Sequence, residues 1–421
     1  MRTGTRKRIF ATRLLTVAIA ASLAGCSAHG TQLPAPIRPE QCSAAPLETS
    51  VFLIGDAGAP SLPGPDADAG SLVDPVLRAL RADVERQLAA LPRERVAVVY
   101  LGDNVYAHGL VPEAEAEHGL APKDHEDRVH GEAVLDAQIR AGADAELFFI
   151  LGNHDWNKAD PVDVAGRDRA IEQGRYIQAH DSNARLMPPA GCAGPTAVNF
   201  GRNLRLVFVD AMGWGLMRLE PQAVPAECRH RTREAVRDSV TRELANPESR
   251  SVVFMMHHPL RTAGPHGGHY TWKQHIFPLT DFWPNAWIPL PIIGSAYPIS
   301  RQMGVTNTDL SHKSYRKMLE FMYEADAPSL YAGGHEHSLQ VHRDERGALH
   351  AVSGAGSAVK VDRVEDMVGL LMGAAAPGFM RLDEYGDGML RLAVTALDEA
   401  SAPRSIYQIC FPGRSSGPET S

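Results

Sequence analysis

No C-x-x-C pair, no long basic stripe and no internal repeat occurs in this sequence, and its one early apolar run ends after about ten residues. Each absence removes a class of function. Without paired cysteines at that spacing, a thiolate metal site is not expected. A formal net charge of -8 with no long basic stripe gives little support to nucleic-acid binding through backbone neutralisation. Mild acidity says little against a small anionic substrate, because a bound metal would outweigh it locally. The run Leu14 to Leu23 is too short to cross a bilayer as a mature helix, which needs about 20 apolar residues.

What is present reads as a globular chain with an export signal. Its 421 residues, 44% hydrophobic and 22% charged, suffice for one large domain with insertions. Arg2, Arg6, Lys7, Arg8 and Arg13 form a basic head before the apolar run. That order is the pattern of a signal peptide. The run ends Leu23-Ala24-Gly25-Cys26-Ser27, which resembles a bacterial lipobox. The resemblance implies acylation of Cys26 and a lipid-anchored protein of the cell envelope, at the outer membrane or the periplasmic side of the membrane. An ordinary signal peptide with an incidental Cys26 is the alternative. The expected divisions are a signal peptide over 1–26, a Pro-rich tether over 27–48, one domain over 49–412 and a polar tail over 413–421. Four cysteines remain in the exported part, so disulfides are expected. Cys192 and Cys228 flank one expected strand, and Cys42 and Cys410 flank the whole core. Those are the pairs we favour among three possible pairings.

Short apolar runs occur at Val51–Ile54, Val96–Leu101, Leu147–Leu151, Leu204–Val209, Ser251–Met256 and Ser329–Tyr331. Near-continuous β-branched and aromatic runs of this length predict buried strands. Helical periodicity separates several of them, at Asp74–Leu91, Thr232–Leu244 and Tyr315–Tyr323. The alternation predicts an α/β fold, a sandwich of sheets flanked by helices. A stretch from about 265 to 309 breaks the pattern. It carries Trp272, Phe277, Phe282, Trp283, Trp287, Tyr297 and five prolines between 278 and 298, without helix or strand period. Such a segment is a candidate lid or substrate wall. The plainer reading is a packed surface insertion.

Five runs end in polar residues able to bind metal. They are Gly55-Asp56-Ala57-Gly58, Gly102-Asp103-Asn104-Val105-Tyr106, Gly152-Asn153-His154-Asp155, His257-His258-Pro259 and Gly333-Gly334-His335-Glu336-His337. Strand C-terminal ends gather on one sheet edge, so these groups can converge. Alone, each motif reads as a turn or cap. Their order together resembles the calcineurin-like metallophosphoesterases, and in detail the purple acid phosphatases. The general family has His where Gly58 stands. Purple acid phosphatases lose that His and gain a tyrosine three residues after the second Asp, where this chain has Tyr106. The resemblance covers roughly 49–265 and 310–360, and the aromatic insertion departs from it.

The resemblance implies a first metal site of Asp56, Tyr106 and His337, a second of Asn153, His257 and His335, and Asp103 between them. It implies a phosphoric monoester or diester hydrolase with ferric iron in the first site and zinc, iron or manganese in the second. The donor types agree independently, since carboxylate, phenolate, carboxamide and imidazole suit hard-to-borderline ions. His154 and His266 are candidate general acids. His258, His269, His108 and Asp155 are candidates only for supporting roles, and Asp210 reads as a turn or cap residue. The competing readings are a nucleotide or diester hydrolase with the same site, and a surface-tethered binding protein on a dead phosphatase core.

Overall fold

Strand β1 (Leu47–Ile54) alternates its side chains between two apolar environments, and this sets the architecture. Val51 and Leu53 face one buried cluster, while Phe52 and Ile54 face another. In the computed structural model, the described residues are 33–64, 71–113, 122–158, 163–180, 183–189, 191–245, 250–281, 285–305, 309–357 and 361–413. Cys26, Phe282, Trp283 and the tail beyond Gly413 lie outside them.

The first cluster is the filling of a sandwich. It unites Val51 and Leu53 with Ala97, Val99, Phe148, Leu206, Phe208, Val253, Met255, Val341 and Met380, all from two facing sheets. The second cluster lies outside, under helices. There Phe52, Val98 and Tyr100 meet Val76, Leu77, Leu80 and Val84 of α1 (Pro75–Leu88). Strands buried on both faces give the continuous apolar runs seen in the sequence.

Each sheet has seven strands among the described residues. In one, β1 pairs in parallel with β2 (Val96–Tyr100), followed by β3 (Glu146–Phe149) and β4 (Ala184–Leu186). On its other side stand antiparallel β12 (Gly378–Tyr385), β13 (Met389–Leu397) and β14 (Pro403–Pro412). In the other, β6 (Leu204–Val209), β7 (Ser251–Met256), β8 (Leu330–Gly333) and β10 (Leu349–Ser353) run parallel. Antiparallel β5 (Thr196–Phe200), β9 (Leu339–Arg343) and β11 (Leu370–Ala374) complete it. The remaining helices are α2 (Pro122–Ala141), α3 (Val164–His180), α4 (Ala211–Leu219), α5 (Arg233–Ala245), α6 (Trp272–Ile276), α7 (Pro291–Gln302) and α8 (Lys313–Glu324). This is the helix-flanked α/β sandwich expected from the alternating runs.

Two expectations need adjusting. The Pro-rich stretch is not free along its whole length. Ile37 donates its N–H to Ser405, Glu40 donates to Gln408, and Cys42 is bonded to Cys410. The 265–309 stretch is not irregular throughout, since it holds α6 and α7. The favoured disulfides are those formed, Cys42–Cys410 and Cys192–Cys228.

Candidate metal centre

The parallel strands β1, β2, β3, β7 and β8 deliver their C-terminal ends to one edge of the sandwich. The turns there are sharp. Asp56, Asp103 and His335 have φ values of 58°, 54° and 70°, in the left-handed region that side chains rarely occupy. A residue held there costs on the order of 1–3 kcal/mol and marks a functional constraint. Gly102, at φ 95°, admits the approach of β7, since a Cβ there would lie 2.6 Å from His257 Nδ1.

Two groups of donors form on this edge. Tyr106 Oη lies 2.9 Å from Asp56 Oδ1 and 3.0 Å from His337 Nε2. His337 Nε2 is 3.4 Å from Asp56 Oδ1. In the second group, His257 Nε2 lies 3.2 Å from both Asn153 Oδ1 and His335 Nδ1. Asp103 Oδ1 lies 3.4 Å from His257 Nε2, which ties Asp103 to this group. Asp56, Asp103 and His257 bring ligand atoms within 4.8 Å of one another, and so do His266, Glu336 and Asp362. Asp56, Asp103, Asn153, His257 and His335 are buried, and Tyr106 and His337 half-buried.

The coupled Gly58 and Tyr106 have a physical cause. A Cβ on Gly58 would stand 2.5 Å from the Asp103 carbonyl oxygen and 2.7 Å from Val105 N. The loop after β2 therefore closes onto residue 58, and Tyr106 N donates to the Gly58 carbonyl at 3.1 Å. A side chain at 58 would prop the loop open and carry Tyr106 away. Asp155 fastens the same loop from beneath. Its buried carboxylate accepts from the N–H groups of Asn104 at 2.9 Å, Val105 at 3.0 Å and Gly152 at 2.8 Å.

Electrostatics fit a cation. His257 Nδ1 donates to the Leu101 carbonyl at 2.8 Å, so its Nε2 carries the lone pair in the neutral ring. That nitrogen faces two acceptors, Asn153 Oδ1 and Asp103 Oδ1. Their lone pairs repel unless a hydrogen or a positive charge lies among them, from a proton on His257 Nε2, from His335 Nδ1 at 3.2 Å or from a cation. Burial disfavours the imidazolium, yet Asp103 outweighs it and raises the His257 pKa to about 9. A proton supplies the charge in the bare protein, where a metal ion would otherwise serve. Burial also opposes charge on Asp103, but His257 and His154 hold its pKa well below the usual carboxylate range. Burial, with Asp103 and Asp56, raises the Tyr106 pKa well above that of a free phenol. Only a highly charged cation would ionise it there.

The other expected residues fall as follows. His154 donates its backbone N–H to Asp103 Oδ1 at 2.9 Å, and its Nδ1 contacts the Ala107 carbonyl at 2.7 Å. Its Nε2 is thereby aimed inward, 3.8 Å from Asp103 Oδ2. The His266 ring lies 4.2 Å from that of His335. His258 is buried, stacks on Tyr315 at 4.2 Å and packs beneath His335. Asp210 caps α4, accepting from Met212 N at 2.8 Å. His108 is exposed and His269 half-buried on its loop.

Four neighbours escaped the sequence reading. Asp362 lies 3.4 Å from His337 Nδ1. Glu336 accepts from His266 N at 3.1 Å and packs its carboxylate against Gly264. Arg301 donates to His266 Nδ1 at 2.8 Å and to buried Asp309 at 2.6 Å. The only sequence signal was a lone charge in the apolar stretch Pro291–Gln302.

No family model matches the sequence, and no curated protein does. Solved structures are similar in shape. They include GAP50 of Plasmodium, described as the anchor in the inner membrane complex, at TM-score 0.48 and 14% identity, over 88% of this chain and 90% of that one. The yellow lupin purple acid phosphatase PPD1 aligns at TM-score 0.49 and 14% identity, over 90% of this chain and 55% of that one. A dimetal phosphatase of Danio rerio aligns at 0.39 and 12%, over 88% and 100%.

Proposed function

We propose that this chain hydrolyses phosphate esters with two metal ions. The reading rests above all on the convergence of Asp56, Asp103, Tyr106, Asn153, His257, His335 and His337 at one edge of the sandwich. Asp56, Tyr106 and His337 would hold the first ion, Asn153, His257 and His335 the second, and Asp103 both. The phenolate of Tyr106 makes ferric iron the choice for the first site. The neutral donors of the second suit zinc, iron or manganese. Bound there, the ions would supply charge to acidify water and to hold phosphate oxygens.

The chain's own residues divide the remaining work. His154 places its Nδ1 proton on the Ala107 carbonyl and turns Nε2 toward Asp103, so it can give a proton to a leaving alkoxide from its charged form, which burial disfavours and Asp103 favours. Arginine can only donate, so its bond to His266 Nδ1 places that ring's proton on Nε2. His266 is then a fixed hydrogen-bond donor for a phosphate oxygen, and His154 serves as general acid only once its ring is protonated. Cys26 as a lipid attachment point on the cell envelope is part of the same proposal. The test is metal analysis with turnover of an aryl phosphate. About two ions per chain are expected for a two-metal hydrolase. With iron bound, a broad visible band should appear, and Tyr106→Phe should abolish it. Active protein with fewer ions refutes the dinuclear reading. A colourless iron-loaded protein refutes only the iron–tyrosinate part.

A further inference from the structure

Helix α7 is amphipathic the wrong way round for a water-facing surface. Its buried positions are Gly294, Pro298 and Arg301. Its outward positions are Ile292, Ile293 and Ile299, with Ile292 86% and Ile293 69% exposed. Met303, 75% exposed, and Val305 extend the same surface, and Trp287 and Ile288 lead into it. From Asn285 to Val305 the only charged residue is Arg301, and it is turned inward onto Asp309 and His266. An outer helix face is ordinarily polar, and a contiguous apolar patch on it marks a contact surface.

We propose that this face docks on a lipid surface and sets the catalytic edge against it. Three observations select lipid as the occupant. The composition is that of an interfacial segment, with isoleucine and methionine beside Trp287 and Trp272, and Lys273 lying over the Trp287 ring at 5.6 Å. The topology brings the chain's N-terminal side to the same end. β12, β13 and β14 alternate in direction from β1, so Pro403, the start of β14, lies at the end where β1 delivers Asp56. Ile37 bonds Ser405 there, and the chain then descends to Cys42 at Cys410, so Ile37 lies toward the catalytic end. Finally, Leu33 follows Cys26 by seven residues. A chain of that length reaches at most about 25 Å however it runs. An acyl group on Cys26 would thus hold the body within reach of a bilayer, with this end the nearer.

The face is coupled to the site. Tyr297, on its rim, accepts from Arg301 at 2.9 Å, and Arg301 holds His266 beside His335. Resting on the phosphoesterase reading for this step, the substrate class becomes phosphate monoesters carried by lipids. The full-length protein should be mixed with vesicles of phosphatidylethanolamine and phosphatidylglycerol with brominated acyl chains. Tryptophan fluorescence should be quenched. In the I292D/I293D/M303D variant, quenching and turnover of a vesicle-borne phosphate monoester should both fall at least about tenfold, as expected when charge replaces an interfacial apolar face. Turnover of a soluble aryl phosphate should not change, and I292S/I293S should show the same trend without added charge. An unquenched wild type overturns the proposal. So does quenching that the triple variant leaves intact, because the N-terminal segment would then bind alone. A wild-type dimer that the variant converts to monomer, without quenching, also overturns it and makes the face a self-association surface. Absent aryl-phosphate turnover and metal in the wild type would strike the phosphoesterase reading, while the quenching still reads the docking.

Discussion

The strand ends around Asp103 and the segment from Pro265 to Asp309 solve opposite problems. The strand ends bury charge at the edge of a scaffold whose strands are packed on both faces. The insertion buries one ion pair, Arg301 with Asp309, and leaves its apolar residues outside. The first arrangement holds donor atoms in fixed places at the cost of strained φ values. The second presents a surface while meeting the site through His266, which Arg301 holds in place. The difference suggests that chemistry resides in the sheet edge and that choice of environment resides in the insertion. The two should therefore fail separately.

The largest effect should come from the sheet edge. His154→Ala removes the inward Nε2 but keeps the backbone N–H that fixes Asp103. Loss of a general acid should lower kcat by about 10²–10⁴-fold. Metal content should not change, which metal analysis beside steady-state kinetics would show. If His266→Ala gives the larger kcat loss, the division of roles between the two histidines is reversed.

The next effect tests how the insertion is attached. Arg301→Leu leaves the Asp309 carboxylate buried without its main partner. Breaking a buried pair from one side costs about 3–5 kcal/mol. Arg301→Leu with Asp309→Leu should recover much of that in denaturant titrations. A single substitution as mild as the double one would mean that solvent reaches the pair. Either way aryl-phosphate turnover should fall less than with His154→Ala, because Arg301 acts through His266.

How far all this was legible follows the same division. Strands β1, β2, β3, β6, β7 and β8 were visible because both faces are buried, and the seven donors because they follow those strands directly. Strands β9 to β14 were not, since polar residues such as Gln340, His342, His350, Asp383 and Glu384 are buried within them. Helix α3 was hidden because its buried face is mostly small or polar, Gly166, Ala170, Glu172, Gln173 and Gly174, with Tyr176 and Ile177 only near its C-terminal end. Helix α7 was missed because its apolar residues follow no core. Asp362 and Asp309 come near the site only through the fold, and nothing in their local sequence marks them.

A smaller effect tests the coupling of Gly58 with Tyr106. Gly58→Ala adds one methyl where the loop backbone stands 2.5 Å away. Overpacking of this kind costs about 1–3 kcal/mol. It should also loosen the first site, seen as weaker retention of iron against a chelator, with the second site less affected. Unchanged stability and retention would mean that the loop yields freely, and that residue 58 does not set the position of Tyr106.

The smallest effect per step concerns the core sheet behind the site. His342 on β9 stands opposite His350 on β10, and both are buried. Burial, reinforced by His350 and Arg261, lowers the His342 pKa to about 3. Burial lowers that of His350 to about 4, against the pull of Asp344. In the unfolded chain each should titrate near 6.5. The folded state then binds fewer protons than the unfolded one between those values. Stability from the neutral rings is complete above about pH 6.5 and is lost as pH falls toward 3 to 4. The slope is about 1.4 kcal/mol per pH unit for each fully shifted histidine. His342→Gln removes one titrating group, and can still reach Gln340, which His342 Nε2 now contacts at 2.8 Å. Chemical denaturation at a series of pH values should show its deficit against wild type shrinking on acidification below 6.5. A constant deficit would show that His342 titrates alike in both states.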